Sequence, residues 1–262
     1  MLYYVRDCKV TGLEQYVSAL SNWSLSHSLG DLPRSFLYQR VRRGLHNLFG
    51  LSETSTPKYA LSLDDLYTLH SHLCLTQFAD ARDWCAYVFA FFGLLRLREY
   101  TDGRLLFHHV TRCSWGIRLT IPFSKTSLQP VHIKLSSRPD VFCPVRAYDS
   151  YVSLIPSALR LPSTPFFRSS PATTSALSSH TYLRDFKLRI TMHLHRDAAP
   201  YAGHSFRRGG TTALFLAEVP ETIIAAHGRW KSDTYKRYFE FASSQQLIPT
   251  LKLYLHSRGK FQ

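Results

Sequence analysis

The run His204-Ser205-Phe206-Arg207 sets an imidazole and a guanidinium at i and i+3. On a helix both face one side, aimed at one point. Trp230 stands 23 residues beyond Arg207, and Tyr238 eight residues beyond Trp230. Upstream, Arg96 follows the apolar run 84–95, and Lys125 stands in Ser124-Lys125-Thr126 between two alternating segments. Cationic groups gathered around a tyrosine can bind a phosphodiester, stabilise the charge that builds up on it, and attack it. The chemistry to which this set points is cleavage of a DNA strand.

The elements that must position these groups can be read from the same chain. The run 84–95 predicts a buried helix, opened by Asp80 or Asp83 and ending at Arg96. Residues 117–123 and 131–135 alternate as strands, with Lys125 at the tip between them. Residues 104–135 therefore read as a small antiparallel sheet, with Trp115-Gly116 as a turn. Ser62-Leu63-Asp64-Asp65 caps a helix running to about Cys74. Further helices are expected at 144–154, 177–195, 204–218 and 220–228, the last with Pro220 as its first residue. A final helix from Ser232 carries Tyr235 and Tyr238. The Ser- and Pro-rich stretch 156–171 reads as a loop. In front, 32–48 is helix-like and basic (Arg34, Arg40, Arg42, Arg43), and the break at Gly50 with the polar stretch 52–57 reads as a linker. The expected fold class is mainly α with a small antiparallel β-sheet. The expected regions are 1–58 and 59–262.

Composition supports a folded, polyanion-binding protein. The 262 residues include 17 Phe and 15 Tyr within a 45% hydrophobic total, ample for a core. Formal net charge is +14, and residues 141–262 hold 16 Lys and Arg against 7 Asp and Glu. Such a field attracts polyanions, with strongly salt-dependent binding, and charge alone does not separate DNA from RNA or an acidic membrane. The five cysteines form no Cys-x-x-Cys pair, which points to a reduced intracellular chain without a disulfide framework. The 12-residue apolar run 84–95 is too short to cross a bilayer, and no N-terminal signal is visible because Arg6, Asp7 and Lys9 interrupt it. The pairs His193-x-His195 and His108-His109 lack a ligand partner at metal spacing. No metal and no cofactor are expected.

The order Arg96, Lys125, His204-x-x-Arg207, Trp230, Tyr238 resembles the active-site set of the tyrosine recombinases. Ser-Lys-Thr at 124–126, Cys143-Pro144-Val145, His-Ser-Phe-Arg-Arg-Gly at 204–209 and Gly-Arg-Trp-Lys-Ser-Asp at 228–233 look most like recombinases of Crypton and DIRS-type mobile elements. The resemblance runs from about Leu61 to Phe241. It implies a tyrosine-recombinase catalytic domain preceded by a short helical region. That region, at 58 residues, is smaller than the family's usual helical DNA clamp and reads as short, incomplete or replaced.

The resemblance also implies roles. Tyr238 would form a 3′-phosphotyrosine, and Lys125 would protonate the departing 5′ oxygen. Arg96 and Arg207 would bind the phosphate in a fork, a geometry lysine lacks. A well-placed donor to such a transition state contributes on the order of 3–4 kcal/mol. His204 would donate to the phosphate or take the tyrosine proton. Trp230, whose indole only donates, would hold a phosphate oxygen. Glu99 would orient Arg96, and Arg40, Arg42, Arg43, Arg208 and Lys231 would contact double-stranded DNA. The family acts as tetramers on DNA, and the apolar stretch 245–255 could dock on a neighbour or close its own core. No membrane partner is implied, and a mobile-element protein of a eukaryote would be nuclear.

Plainer readings stand beside these. Arg96 and Glu99 could form a structural ion pair, with Arg98 the competing arginine. Lys134 rivals Lys125, and Tyr235 rivals Tyr238. His204 could be a core histidine and Trp230 a core aromatic, while His227 reads as packing and Gly209-Gly210 as close helix contact. At the level of function, the rivals are a decayed or domesticated DNA-binding protein and a topoisomerase of type IB.

Overall fold

The computed structural model describes residues 13–30, 40, 59–122, 129–230 and 232–238. The chain divides into two units, Met1–Pro57 and Lys58–Gln262. Lys125, Lys231, Arg42, Arg43, most of the expected helix 32–48, the linker 52–57 and the stretch 245–255 lie outside the described residues.

In the first unit, helix α1 spans Leu13–Ser26. The sequence reading passed over it. Its serines hide it, because serine hydroxyls compete for helical carbonyls, as Ser24 Oγ does in donating to Ser21 O at 3.0 Å. Arg40 is helical and exposed.

The second unit begins with α2, Leu63–Ser71, started by the expected cap. Ser62 Oγ accepts the Asp65 N–H at 3.0 Å, and the Asp65 carboxylate accepts the Ser62 N–H at 3.0 Å, so two orphan donors are satisfied at once. The helix stops short of Cys74, whose N–H is taken by Asp80 at 2.9 Å. Helix α3, Phe78–Phe92, is buried continuously from Ala81 to Phe91. It opens ahead of both candidate acidic residues. Asp80 lies in its first turn, and Asp83 is buried inside the helix, paired with Arg82 at 2.8 Å and Arg189 at 3.2 Å.

After α3 the chain turns at Gly93 and at Leu94, the latter at φ 47°. Arg96 then caps the short helix α4, Leu97–Tyr100.

The sheet is antiparallel in the order β1 (Val110–Cys113), β2 (Gly116–Ile121), β3 (Val131–Ser136). Ile117, Leu119, Ile121, Ile133 and Leu135 point into the core, while Arg118, His132 and Lys134 face solvent, as period-2 patterning requires. The β1–β2 turn is Ser114-Trp115 rather than Trp115-Gly116. Gly116 has already entered β2, at φ 153°, where a Cβ would overlap Leu135 O.

Helix α5 (Pro144–Ser153) starts on its proline, α6 spans Ser179–Leu194, α7 Ser205–Leu216 and α8 Glu221–Gly228. Pro220 is the cap of α8 rather than its first residue, and His204 likewise caps α7. The expected last helix is a 3-10 helix, Asp233–Tyr238. The stretch 156–171 is a loop containing a 3-10 turn, Ser157–Leu159. Buried Arg168 gathers it, donating to Pro165 O and Leu159 O.

Helix α3 is the central strut and packs on α5 and α7. Gly209 and Gly210 let α7 come so near that Cβ atoms there would overlap the carbonyl oxygens of Leu61 and Phe91. Buried Tyr87, Phe186 and Phe206 pack ring against ring between α3, α6 and α7. Full burial of such a side chain contributes about 1.5–3 kcal/mol. This packing sets the ends of α3 and α8 and the start of α7 side by side.

Candidate active site

The turn after α3 delivers Arg96. Its Nη1 donates to Glu99 Oε1 at 2.9 Å, and its own N–H donates to Glu99 Oε2 at 2.9 Å. The Arg96 side chain is 21% exposed, so the ion pair holds it without sealing it. Arg98 is exposed on the same short helix. Glu99 therefore holds Arg96 in place, a contact common to the orienting and the structural reading of the pair.

His204 and Arg207 lie at the start of α7. Arg207 is 1% exposed. Its guanidinium donates to Leu94 O and, at 2.6 Å, to Gly228 O. It lies 4.0 Å from the centroid of the Trp230 ring, a cation–π distance. Gly228 makes room for that ring, since a Cβ there would overlap it. Trp230 thus covers an arginine instead of filling the apolar core.

His204 is exposed to solvent. Partial desolvation, then the positive charges of Arg207, Arg96 and Arg208, hold its imidazole below the ordinary histidine pKa, against a smaller opposite pull from Glu99. It caps α7, three residues before Arg207. An imidazole held down in this way is mostly neutral at pH 7.

One group was missed in the sequence. Arg229, 7% exposed, pairs with Glu99 Oε2 at 2.7 Å and donates to Leu94 O at 3.1 Å and Gly93 O at 3.2 Å. Burial lowers its pKa most, and Glu99 pulls the other way. The signal was available: an arginine between a helix-ending glycine and Trp230 stands where a charge would be buried only with a partner. His227 is half-buried, its Nε2–H donating to Phe92 O at 2.7 Å.

Tyr235 is buried, and its hydroxyl donates to Glu221 Oε2 at 2.9 Å. Burial and that carboxylate push its pKa up, the wrong direction for a nucleophile. Tyr238 ends the same 3-10 helix, and its side chain lies outside the described residues. Lys134 is exposed on β3, opposite Arg118. It lines a cavity of about 280 Å³ together with Phe92 and Arg138. Among the described residues no group of His, Cys, Asp and Glu could hold a metal, and no helix is long and apolar enough to cross a membrane.

No protein-family model and no curated protein matches the sequence. Solved structures do. XerA recombinase matches 92% of this chain and 82% of its own, with a TM-score of 0.54 at 13% identity. XerH site-specific recombinase, bound to palindromic difH substrate in a post-cleavage complex, matches 77% of this chain with a TM-score of 0.56 at 16% identity. The fold is that of a tyrosine recombinase catalytic domain. A lambda integrase tetramer bound to a Holliday junction has the same recombinase fold, with a TM-score of 0.52 over 86% of this chain at 16% identity. This chain spans 54% of the XerH chain and 64% of the integrase chain. What the recombinase fold shares at these identities is the path of the backbone.

Proposed function

We propose that this protein is a site-specific DNA recombinase of mobile-element type that cuts and rejoins strands through Tyr238. The observation that carries this reading is the gathering of Arg96, Glu99, Arg207 and Trp230, from separate parts of the sequence, at one place in a recombinase fold, with His204 capping the helix that carries Arg207.

The Tyr238 phenolic oxygen attacks phosphorus, a P–O bond to tyrosine forms, and the bond to the 5′ oxygen breaks. His204, neutral near pH 7, takes the phenolic proton, and Lys125 gives one to the leaving oxygen. Arg96 is held in advance by Glu99 and needs little reorganisation as charge develops, whereas Arg207, held by backbone carbonyls, meets the phosphate once the Trp230 indole moves aside. The cleaved strand keeps its energy in the 3′-phosphotyrosine, and rejoining runs the step backwards. The working form on double-stranded DNA would be a tetramer, and the site of action the nucleus of a eukaryotic host.

The test is covalent-adduct formation, without metal, on nicked duplexes drawn from the ends of the encoding element or from a random library. Wild type should give a band that survives denaturant, Tyr238→Phe and Arg207→Ala should give none, and Tyr235→Phe should keep it. Binding without an adduct on any duplex would replace this reading with that of a DNA-binding protein that no longer cuts. Relaxation of any plasmid regardless of sequence would replace it with a topoisomerase.

A further inference from the structure

Arg229 has φ 61°, in the left-handed region. Glycine is the ordinary occupant of that conformation just past a helix end, and an L side chain is strained there. Its Nε is buried with no hydrogen-bond partner among the described residues. Both features count against an arginine at this place. What favours it is its reach, since one guanidinium spans Glu99 Oε2 and the carbonyls of Gly93 and Leu94.

Glu99 is then gripped from three directions: by the Arg96 N–H and Arg229 Nη2 on one oxygen, and by Arg96 Nη1 on the other. Leu94 O, which Arg229 also holds, is one of the two carbonyls to which Arg207 donates, the other being Gly228 O. Both proposed phosphate-binding arginines therefore rest on atoms that Arg229 fixes. Arg229 is also the residue next to Trp230, so the chain leading towards Tyr238 is tied to the turn carrying Arg96.

We propose that Arg229 is a positioning residue: by clamping Glu99 and the Gly93-Leu94 carbonyls it sets the Arg96 and Arg207 guanidinium groups for the scissile phosphate, without touching DNA itself. This rests on the strand-cleavage reading above.

Arg229→Gly removes the guanidinium and installs the residue that suits φ 61°, so the backbone is relieved while the clamp is lost. Two readouts on the full chain decide the matter. The first is the Nε–H resonance of Arg96 in ¹⁵N-labelled protein, assigned by its absence in Arg96→Lys. It should shift or broaden in Arg229→Gly. The second is the single-turnover rate of adduct formation on a nicked duplex, expected to fall on the order of 100-fold, as small misplacements of a reacting geometry do, with duplex affinity retained. Glu99→Gln combined with Arg229→Gly should be no slower than the slower single variant, since both act on one network. Arg229→Lys, which keeps the charge but cannot span all three acceptors, should show the same two changes in milder form. An unchanged Arg96 resonance, a wild-type rate in either Arg229 variant, or multiplying losses in the double variant would overturn the proposal. If wild type itself forms no adduct, the cleavage reading fails, and the Arg96 resonance alone decides the role of Arg229.

Discussion

A phosphate arriving at the site would meet its groups in order of exposure. His204 and the open edge of Arg96 come first, whereas Arg207 lies beneath Trp230. For the phosphate to reach Arg207 the indole must move, and an indole leaving a guanidinium for another surrounding changes its emission. We therefore expect nicked duplex to alter the tryptophan fluorescence of wild type, and to leave most of that change missing in Trp230→Phe. Equal changes in both proteins would mean that Trp230 stays in place and that Arg207 does not meet the phosphate. At this scale much was legible in the sequence. His204-x-x-Arg207 and Arg96-x-x-Glu99 are spaced by helix geometry, and the structure pairs Arg96 with Glu99 as the spacing suggested. Arg229 was missed because its partner is 130 residues away: its place between Gly228 and Trp230 signals a buried charge, but no local pattern names the partner.

Elements matter here through the contact of α7 with α3. Gly210 faces Phe91 O, a backbone atom that cannot move aside, and the turn at 93–95 that delivers Arg96 begins two residues later. Gly210→Ala should lower the urea unfolding midpoint by the equivalent of about 1–3 kcal/mol, the usual range for forcing an atom into a filled core, and should slow adduct formation because the turn shifts. A Gly210→Ala protein with a wild-type midpoint would show that the α3–α7 approach is looser than drawn. The close-contact role of these glycines was readable from the sequence, as were the Ser62–Asp65 cap, the proline start of α5 and the alternation in β2 and β3. Each is written within a few residues. The start of α3 was misread for the opposite reason: Asp83 resembles a helix opener locally, yet it is fixed by Arg189 on α6, and the sequence gives no hint of that meeting.

Over the whole molecule, five histidines bear on how stability varies with pH. His70, His109, His193, His204 and His227 all have pKa values below the ordinary histidine value, desolvation being the largest cause in each. Each also has a basic neighbour: Arg146 for His70, His108 for His109, His72, Arg189 and His195 for His193, Arg207, Arg96 and Arg208 for His204, and Arg229 and Arg207 for His227. As pH falls through about 6.5, the unfolded chain takes up protons on these residues that the folded chain refuses. The unfolded state then binds more protons, so stability rises with pH across that window and is lost on acidification. Asp83 works the other way, because burial raises its pKa against the pull of Arg82 and Arg189, but it is one group against five. The urea midpoint should therefore be lower near pH 5.5 than near pH 7.5, a span chosen to straddle the ordinary histidine pKa. His227→Gln, whose amide can still donate to Phe92 O, should lessen the difference. A midpoint that is level or higher at the acid end would mean that the folded chain, taken as a whole, binds as many protons across this window as the unfolded one.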